Sequence, residues 1–427
     1  MIKKIFLFLL LITINISPAG TKEIRKKISR VLDKFPSSTT TAILIYNPLT
    51  EDTVFSLNHT RSMIPASNTK LFTTAAALEI MGGDYVLSTK ILSDDNDFSD
   101  STLNGNIYIK GLGNSVFTQD DLDSMVSVVK NMGINKITGN VIGDDTFFDN
   151  IYTRDDWIND EKANVKLPPV SALVIDRNTR YTTKIRRGRR RRYKVFVKDP
   201  PLYAAKLLRE KLISESITVT GKAMKGEAPL RAILLASKGI VLKELLKKIN
   251  KHSDNFLAEC LFKSIGAVAS GKQGNSFYST QAILTFIDDN AIFARGTAVV
   301  DGSGISRFDQ ITVGAITGLL QKMYFDLKNF SAFYNSLSIA GVDGTLEDRM
   351  YDSKNPIDFR GKTGTLNGVS SLSGYLRTKN GDDLIVSIII EFERGGTRSY
   401  RKAQDKIVEI LNDWKEESPE ENNLRGY

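Results

Sequence analysis

The sequence predicts an α+β protein in which an antiparallel sheet, flanked by helices, is built from both ends of the chain. Alternating apolar strands occur near the start of the chain and again near its end, and each group adjoins a helical pattern. Between them, residues 85–234 consist of short strands separated by Gly, Asn and Asp turns. A β-rich insert therefore interrupts a domain formed by the two ends of the chain.

Length and composition agree with more than one domain. The chain has 427 residues, of which 41% are hydrophobic and 25% charged, which is a globular composition too long for one ordinary core. We place a discontinuous domain at residues 20–84 and 235–414, the insert at 85–234, and a flexible polar tail at 415–427.

Residues 1–19 have the organisation of a cleaved export signal. Lys3 and Lys4 precede an apolar stretch of about a dozen residues, too short to cross a membrane comfortably. Ser17 and Ala19 are the small residues expected before a cleavage site. We therefore predict an exported, periplasmic protein; an uncleaved N-terminal anchor is the alternative.

The first half of the discontinuous domain contains two helices and two strands. Residues 22–36 have a helical pattern, followed by strands at 41–46 and 52–57 on either side of an Asn-Pro turn. An alanine-rich helical run begins after Pro65 and ends at the glycines of positions 82–83. The second half contains a helical run at 239–266, a strand–turn–strand unit at 360–392 with an Asn-Gly hairpin signal, and a closing helix at 400–414.

Much of the net charge of +9 lies in one segment of the insert, where six arginines occur between Arg186 and Arg192. Strands at 181–185 and 193–197, with Gly188 at the turn, predict a hairpin. Its charges are either solvated at an exposed tip or contact an anionic partner such as wall polymer, lipid head groups or a protein. Nucleic acid is not an expected partner of an exported chain.

The single cysteine and two histidines exclude several classes of protein. They cannot form an internal disulfide or a Cys/His zinc site. A Ser-His-Asp hydrolase fits poorly, because histidine is scarce and the G-x-S-x-G motif is missing from the sequence. Cys260 lies in a helical pattern and is expected to be a small buried hydrophobic residue.

The segment from Ser67 to Lys70 contains a nucleophile and a base that needs no histidine. If a helix begins here, Ser67 and Lys70 lie on one face. A serine at a helix N-terminus is exposed to the positive end of the dipole, and a lysine in an apolar setting can lose its proton near neutral pH. The alternative is an N-cap serine beside a surface lysine.

Ser253, Asp254 and Asn255 lie between two helical runs. A hydroxyl at this point can pass a proton to a leaving amine, and an amide side chain can bind a substrate peptide group. The alternative is an ordinary helix N-cap, which this tripeptide also forms well.

A third motif, at residues 362–365, precedes a strand. Lys362 and Thr363 at a strand edge can hold a carboxylate, and Gly364 allows a close backbone approach. A phosphate-binding loop is excluded, because Pro356 occupies the position of its first glycine.

The order S-x-x-K, S-D-N and K-T-G is the signature of penicillin-binding proteins and serine β-lactamases. The sequence further resembles the D-alanyl-D-alanine carboxypeptidase/endopeptidases of the penicillin-binding protein 4 type, the low-molecular-weight class C penicillin-binding proteins. The spacing from Ser67 to Ser253 far exceeds that of class A β-lactamases, and this branch carries an insert there. The resembling stretches are residues 65–78, 251–261, 301–312, 340–350 and 361–376, and residues 168–178 within the insert also resemble a family stretch.

The resemblance implies a serine β-lactamase/transpeptidase-like domain and a set of roles. Ser67 would attack the carbonyl of the penultimate D-Ala and form an acyl-enzyme, with Lys70 as general base. Ser253, together with Lys362, would relay a proton to the departing D-Ala. Asn255 would bind the substrate amide.

Substrate binding is implied in the same way. Thr363, Gly364 and Thr365 would hold the terminal carboxylate beside Lys362, and the backbone N–H groups of Ser67 and Thr365 would form the oxyanion hole. β-Lactams would acylate the same serine. No metal and no organic cofactor are needed.

Asp144 is the residue that the resemblance implies for recognising the amino end of a diamino acid, with Asp145 beside it. The alternative is a pair of turn aspartates. The sequence departs from the family at residues 111–115, where the Asp-Pro part of a glycine-rich loop is missing.

We therefore predict a serine-type DD-peptidase acting on peptidoglycan stem peptides. It is a carboxypeptidase if the leaving group is D-Ala and an endopeptidase if the leaving group belongs to a cross-link. The alternatives are a serine β-lactamase, a catalytically silent wall-binding protein of the same fold, or, as a minor option, a broad-specificity esterase. The long insert argues against the lactamase, and the intact motifs argue against the silent protein.

Overall fold

The computed structural model of the protein describes residues 19–97, 100–157, 167–186, 189–351 and 356–415. The predicted export signal up to residue 18, Arg187 and Gly188 at the hairpin turn, and the tail after Lys415 lie outside the described residues. Within the described ranges, every helix is too short or too polar to cross a membrane.

The described elements are numbered in chain order. The helices are α1 (Ala19–Leu32), α2 (Thr69–Met81), α3 (Gln119–Asn131), α4 (Pro200–Ser214), α5 (Leu242–His252), α6 (Asn255–Ser270), α7 (Ser276–Asp289), α8 (Val313–Phe325), α9 (Phe330–Ser336) and α10 (Thr397–Asn412). The strands are β1 (Thr40–Tyr46), β2 (Thr53–Leu57), β3 (Val86–Ser93), β4 (Thr102–Leu103), β5 (Ile107–Leu112), β6 (Lys136–Ile137), β7 (Val141–Asp144), β8 (Thr179–Arg186), β9 (Arg189–Phe196), β10 (Thr218–Val219), β11 (Ala223–Lys225), β12 (Ile233–Val241), β13 (Ser338–Ile339), β14 (Asp358–Leu366), β15 (Val369–Arg377) and β16 (Asp383–Glu391).

Both ends of the chain form one six-stranded antiparallel sheet in the order β13-β14-β15-β16-β1-β2, which confirms the predicted fold class. Strand β16 is apolar between its two end residues except for Ser387, because both faces of the sheet are covered. One face packs against α1 and α10 around Ile43 and Ile388, and the other packs against the helical layer that contains α2 and α8.

The region between the two ends contains a five-stranded sheet in the order β11-β7-β5-β3-β12, a small parallel sheet and the β8–β9 hairpin. The pairing of β8 with β9 matches the predicted hairpin. Strand β12 begins at Ile233 and ends at Val241, so it continues past the predicted boundary between residues 234 and 235.

Two helices in this region were not predicted from the sequence. Helix α3 begins after Thr118, whose side chain forms a capping box with Asp121, and α4 begins after Asp199 with two prolines in its first turn. Both sets of start signals are present in the sequence, but the surrounding Gly and Asn turns favoured an all-strand interpretation. The two helices cover the five-stranded sheet and share its apolar core.

The helical run expected at 239–266 is divided. Its first residues complete β12, and the rest forms α5 and α6 on either side of Ser253 and Asp254. Cys260 is fully buried in α6, as predicted. The break between the two helices positions the second motif.

Candidate active site

Ser67 lies in a short 3₁₀ turn, Ala66–Asn68, that continues directly into α2. Ala66 has a φ of 49°, in the left-handed region that L-residues rarely adopt. Such a conformation persists only where neighbouring contacts hold it. Ser371 in β15 supplies one of them, because its hydroxyl donates a 2.7 Å hydrogen bond to the carbonyl of Pro65. The central sheet therefore holds the turn that presents Ser67.

Lys70 is fully buried, and its amine contacts Ser67 directly. Nζ lies 2.9 Å from Ser67 Oγ, 2.7 Å from Asn255 Oδ1 and 2.5 Å from the carbonyl oxygen of Ser303. Burial lowers the Lys70 pKa to about 8, although nearby carboxylates oppose that change. The amide and peptide oxygens only accept hydrogen bonds, so they retain two amine protons. The lone pair of neutral Lys70 is thereby directed at the Ser67 hydroxyl.

The second motif follows the end of α5. Ser253 has a left-handed φ of 53°, and Asp254 is the N-cap of α6, accepting a 3.0 Å hydrogen bond from the backbone N–H of Leu257. The N-cap interpretation therefore applies to Asp254 alone. Ser253 and Asn255, on either side of it, each contact one of the two buried lysines. The helix break thus brings a hydroxyl to Lys362 and an amide to Lys70.

Lys362 in β14 is the second buried lysine. Its amine donates 2.8 Å hydrogen bonds to Ser253 Oγ and to the carbonyl oxygen of Thr363. Burial, together with repulsion from positively charged Lys70, holds the Lys362 pKa well below its usual range. The two lysines and two serines form two adjacent amine–hydroxyl pairs.

Gly364 brings β14 against the nucleophile turn. A Cβ atom at this position would lie 2.1 Å from Ser371 Oγ and 3.0 Å from the backbone nitrogen of Ser67. The hydroxyls on either side of Gly364 are engaged: Thr363 Oγ1 donates to Thr345 Oγ1 at 2.8 Å, and Thr365 Oγ1 accepts from Arg401 Nη2 at 2.8 Å. The role of Arg401 was not predicted from the sequence.

Two buried carboxylates hold the backbone segment that contacts Lys70. Asp301 accepts hydrogen bonds from the backbone N–H of Gly304 at 2.6 Å and of Ser306 at 2.8 Å. Glu259 in α6 accepts from the backbone N–H of Ser303 at 2.8 Å, and burial raises the Glu259 pKa to about 8. These contacts hold the Ser303 carbonyl against the Lys70 amine. The 301–312 stretch was predicted only as a resembling segment, without this role.

The insert contacts the second motif through Arg177. Its guanidinium forms two hydrogen bonds of 2.7 and 2.9 Å to the carboxylate of Asp254 and lies 4.9 Å from the ring centroid of Phe256. Asp176, Arg177 and Asn178 all have left-handed φ values, of 48°, 57° and 51°. This strained turn aims the arginine at Asp254.

Asp144 lies at the end of β7 and is fully buried. Its carboxylate forms a 2.8 Å ion pair with Lys110 and accepts hydrogen bonds from both the backbone N–H and the hydroxyl of Thr146, at 2.9 and 2.7 Å. A further 2.8 Å hydrogen bond comes from the backbone N–H of Ala228. Within the described ranges, none of these partners belongs to the three motifs, and the substrate role of Asp144 stays a prediction.

Comparison with known proteins places this arrangement in a family. The D-Ala-D-Ala carboxypeptidase 3 (S13) family matches residues 24–192 and 185–413. A D-alanyl-D-alanine carboxypeptidase of Actinomadura sp. strain R39 is 26% identical over 445 residues, covering 87% of this chain and 82% of that protein. A D-alanyl-D-alanine carboxypeptidase of Haemophilus influenzae is 24% identical over 438 residues, covering 88% of this chain and 90% of the relative.

The fold is also similar to a solved structure. The crystal structure of penicillin binding protein 4 from Haemophilus influenzae matches with a TM-score of 0.76 and 22% identity, covering 94% of this chain and 99% of that one. The predicted resemblance to proteins of the penicillin-binding protein 4 type is thereby confirmed. The matched segments contain the insert and all three motifs, and the chain belongs to the D-Ala-D-Ala carboxypeptidase 3 (S13) family.

Proposed function

We propose that this protein cleaves the peptide bond after a D-Ala residue in peptidoglycan stem peptides, through an acyl-enzyme on Ser67. At the level of the family it is a penicillin-binding serine DD-peptidase. One observation carries the assignment of residues: the fully buried Lys70 amine lies 2.9 Å from Ser67 Oγ. That contact supplies a nucleophile and a base, and the base is a lysine.

Acylation begins with proton transfer from Ser67 Oγ to the neutral amine of Lys70. Ser67 Oγ then forms a bond to the carbonyl carbon of the penultimate D-Ala, and the carbonyl oxygen becomes an oxyanion. The proximity of Gly364 to the backbone nitrogen of Ser67 supports an oxyanion hole between the Ser67 and Thr365 N–H groups. Such preorganised donors often supply the largest single contribution to catalysis.

Collapse of the tetrahedral intermediate breaks the bond between the carbonyl carbon and the leaving nitrogen. The leaving amine takes the proton of the Ser253 hydroxyl, which is replaced from the Lys362 amine 2.8 Å away. The proton on Lys70 then replaces the one that the Ser253–Lys362 pair gave to the leaving amine, so Lys70 is neutral again. In deacylation Lys70 takes a proton from water, the water oxygen bonds to the acyl carbon, and the bond from that carbon to Ser67 Oγ breaks. Lys70 returns the proton to Ser67 Oγ. Proton count and charge are restored at the end of the cycle.

Carboxylate recognition is proposed for the K-T-G strand. Lys362 supplies a hydrogen-bond donor beside Ser253, while exposed Thr365 and its cationic partner Arg401 lie at the solvent side of the strand. A free D-Ala carboxylate fits this cationic end of the site. The same group would bind the carboxylate of a penicillin, and a homologous penicillin binding protein 4 has been solved in complex with a β-lactam.

Two finer assignments belong to this proposal. Endopeptidase activity on cross-linked peptides would use the same chemistry with a larger leaving group. A periplasmic location is supported by the predicted export signal and by the wall polymer that the family's substrates come from. A cleaved signal predicts a mature N-terminus after Ala19, which N-terminal sequencing of secreted material would identify.

The test is acylation by a fluorescent penicillin, followed by intact mass and by gel. Wild type and Ser62→Ala, a control at an exposed serine close to the motif, should each take up one penicillin, whereas Ser67→Ala should take up none. D-Ala release from a D-Ala-D-Ala peptide should follow the same pattern. Rapid nitrocefin turnover without D-Ala release would instead indicate a β-lactamase, and neither adduct nor release from wild type would indicate a silent protein.

A further inference from the structure

A cleft of about 750 Å³ opens between the insert and the second motif. One wall is formed by the β8–β9 hairpin, and another by α5 and the start of α6. Asp254 contributes to this lining, and its two neighbours in sequence contact the buried lysines. The cleft therefore reaches Asp254, which lies between two residues proposed to act on the substrate.

From Tyr181 towards the turn, one face of the hairpin lines the cleft; at the start of β8, Thr179 and Arg180 line it as well. Strand pairing places Tyr181 opposite Lys194 and Thr183 opposite Arg192, and alternate residues of a hairpin share one face. Tyr181, Arg192 and Lys194 accordingly line the cleft. Lys184 and Arg191 are paired with each other on the opposite face and do not line it.

The lining carries an excess of positive charge. Of its two carboxylates, Asp254 is held by Arg177, and Asp176 accepts a 2.6 Å hydrogen bond from Gln119. Across the described ranges, Lys194 and, on α5, Lys248 form no ion pair. The Arg192 guanidinium is 4.0 Å from the Tyr181 ring centroid, which fixes one cation on this wall.

We propose that this cleft binds carboxylate groups of the peptidoglycan peptide while its D-Ala bond lies at Ser67, an inference that rests on the proposed function. Two observations favour the substrate over a lipid surface. The charges lie inside a concave space, which a flat membrane does not enter, and the space borders the second motif. Tyr181 and Leu257 add apolar lining that suits the carbon chain of a peptide.

The structure provides a matched pair of variants. Arg192→Gln/Lys194→Gln removes two cations from the cleft face, and Lys184→Gln/Arg191→Gln removes one arginine and one lysine from the other face of the same hairpin. All four side chains are exposed, so neither variant disturbs a core. The probe is a stem pentapeptide ending in D-Ala-D-Ala, with its internal carboxylates either free or amidated.

The cleft-face variant should raise KM for the free-carboxylate peptide by roughly threefold to tenfold, the range expected for two exposed ion pairs. Its kcat, its KM for the amidated peptide and its acylation by penicillin should match wild type, and the opposite-face variant should match wild type throughout. An equal rise of KM in both variants would overturn the proposal in favour of unspecific attraction. If KM for the free-carboxylate peptide is unchanged in both variants and binding to anionic phospholipid vesicles is lost, the proposal is overturned in favour of a lipid contact.

Failure of the underlying function has a different outcome. If wild type releases no D-Ala from either form of the peptide, the proposed function is wrong and the cleft inference falls with it. If wild type releases D-Ala and the cleft-face variant has an unchanged KM for the free-carboxylate peptide, only the cleft inference is overturned.

Discussion

The guanidinium of Arg177 and the carboxylate of Asp254 face each other with two parallel hydrogen bonds, 77 positions apart in the sequence. Asp254 also caps α6, so a single carboxylate connects the insert, the helix and the second motif. The neighbours of Asp254, Ser253 and Asn255, contact Lys362 and Lys70. The insert therefore helps to position groups proposed to transfer protons.

Replacing Arg177 should separate that positioning role from overall stability. Arg177→Gln should lower the rate of acylation by penicillin about tenfold, while its partial exposure limits the loss of stability to about 1 kcal/mol. Arg177→Lys should restore only part of the rate, because an ammonium cannot form two parallel hydrogen bonds. The measurement is stopped-flow acylation beside thermal unfolding.

Arg377→Gln is the matched control, since it removes an exposed Arg–Asp pair in the central sheet away from the motifs. Equal acylation rates for the Arg177→Gln and Arg377→Gln variants would show that the insert does not position the second motif.

The pKa of Lys70 predicts a pH dependence of acylation. Burial lowers that pKa to about 8, and only the neutral amine can accept the Ser67 proton. The neutral fraction rises with pH, so the second-order acylation rate should increase about tenfold per pH unit below 8 and level off above it. Because Lys362 is nearby, the observed value belongs to the coupled pair. A rate that stays constant between about pH 6 and 9 would exclude Lys70 as the base.

Gly364→Ala should inactivate the site without changing any proposed catalytic side chain. The added Cβ would lie 2.1 Å from Ser371 Oγ and 2.9 Å from the Pro65 carbonyl, so β14 or the nucleophile turn must move. A displacement of about 1 Å is enough to reduce a rate about a hundredfold. Penicillin acylation measures the effect.

Gly396→Ala is the control, because a Cβ there has no heavy atom within 4 Å. If both glycine variants acylate at the wild-type rate, the close approach of β14 to Ser67 plays no part in the reaction.

Asp144→Ala should mainly destabilise the protein. The substitution leaves Lys110 without its partner and removes the acceptor for three further donors in a buried position. Breaking a buried ion pair costs about 3 kcal/mol, which thermal unfolding would detect. The double variant Lys110→Met/Asp144→Leu should recover part of the lost stability, since it leaves no unpaired charge at this position.

The same variants test the substrate role that the resemblance implies for Asp144. Peptides with and without diaminopimelate should be cleaved in the wild-type ratio if the aspartate is structural. A lost preference for diaminopimelate at unchanged Tm would support recognition by Asp144 instead.

The sequence identified side chains that act within short motifs, because their spacing is local. Ser67 and Lys70 are three positions apart on one turn, and the structure brings their Oγ and Nζ atoms together. Ser303 could not be identified in this way, since it acts through its backbone carbonyl, and any residue has one. Arg177 was missed for a different reason: its partner lies in another part of the chain, and three consecutive left-handed residues have no sequence signature when none is glycine.

The sequence predicts the fold best where a whole strand is buried on both faces. The sequence of β16 between its acidic ends is apolar except for Ser387, which already indicates a strand covered on both faces. In the insert, helices α3 and α4 lie among strands of two or three residues, too short for periodicity to separate from loops. The capping residues Thr118 and Asp199 were the better signal there.

The pairing of β1 with β16 has a consequence for the order of events during synthesis. Pro65, next to the nucleophile, is held by Ser371, 306 positions later, and α2 emerges from the ribosome long before any of β14, β15 or β16 exists. Contacts so distant in sequence form late in folding. A nascent chain therefore contains Ser67 and Lys70 but no framework to align them, and reactivity towards peptide bonds arises only once translation is nearly finished.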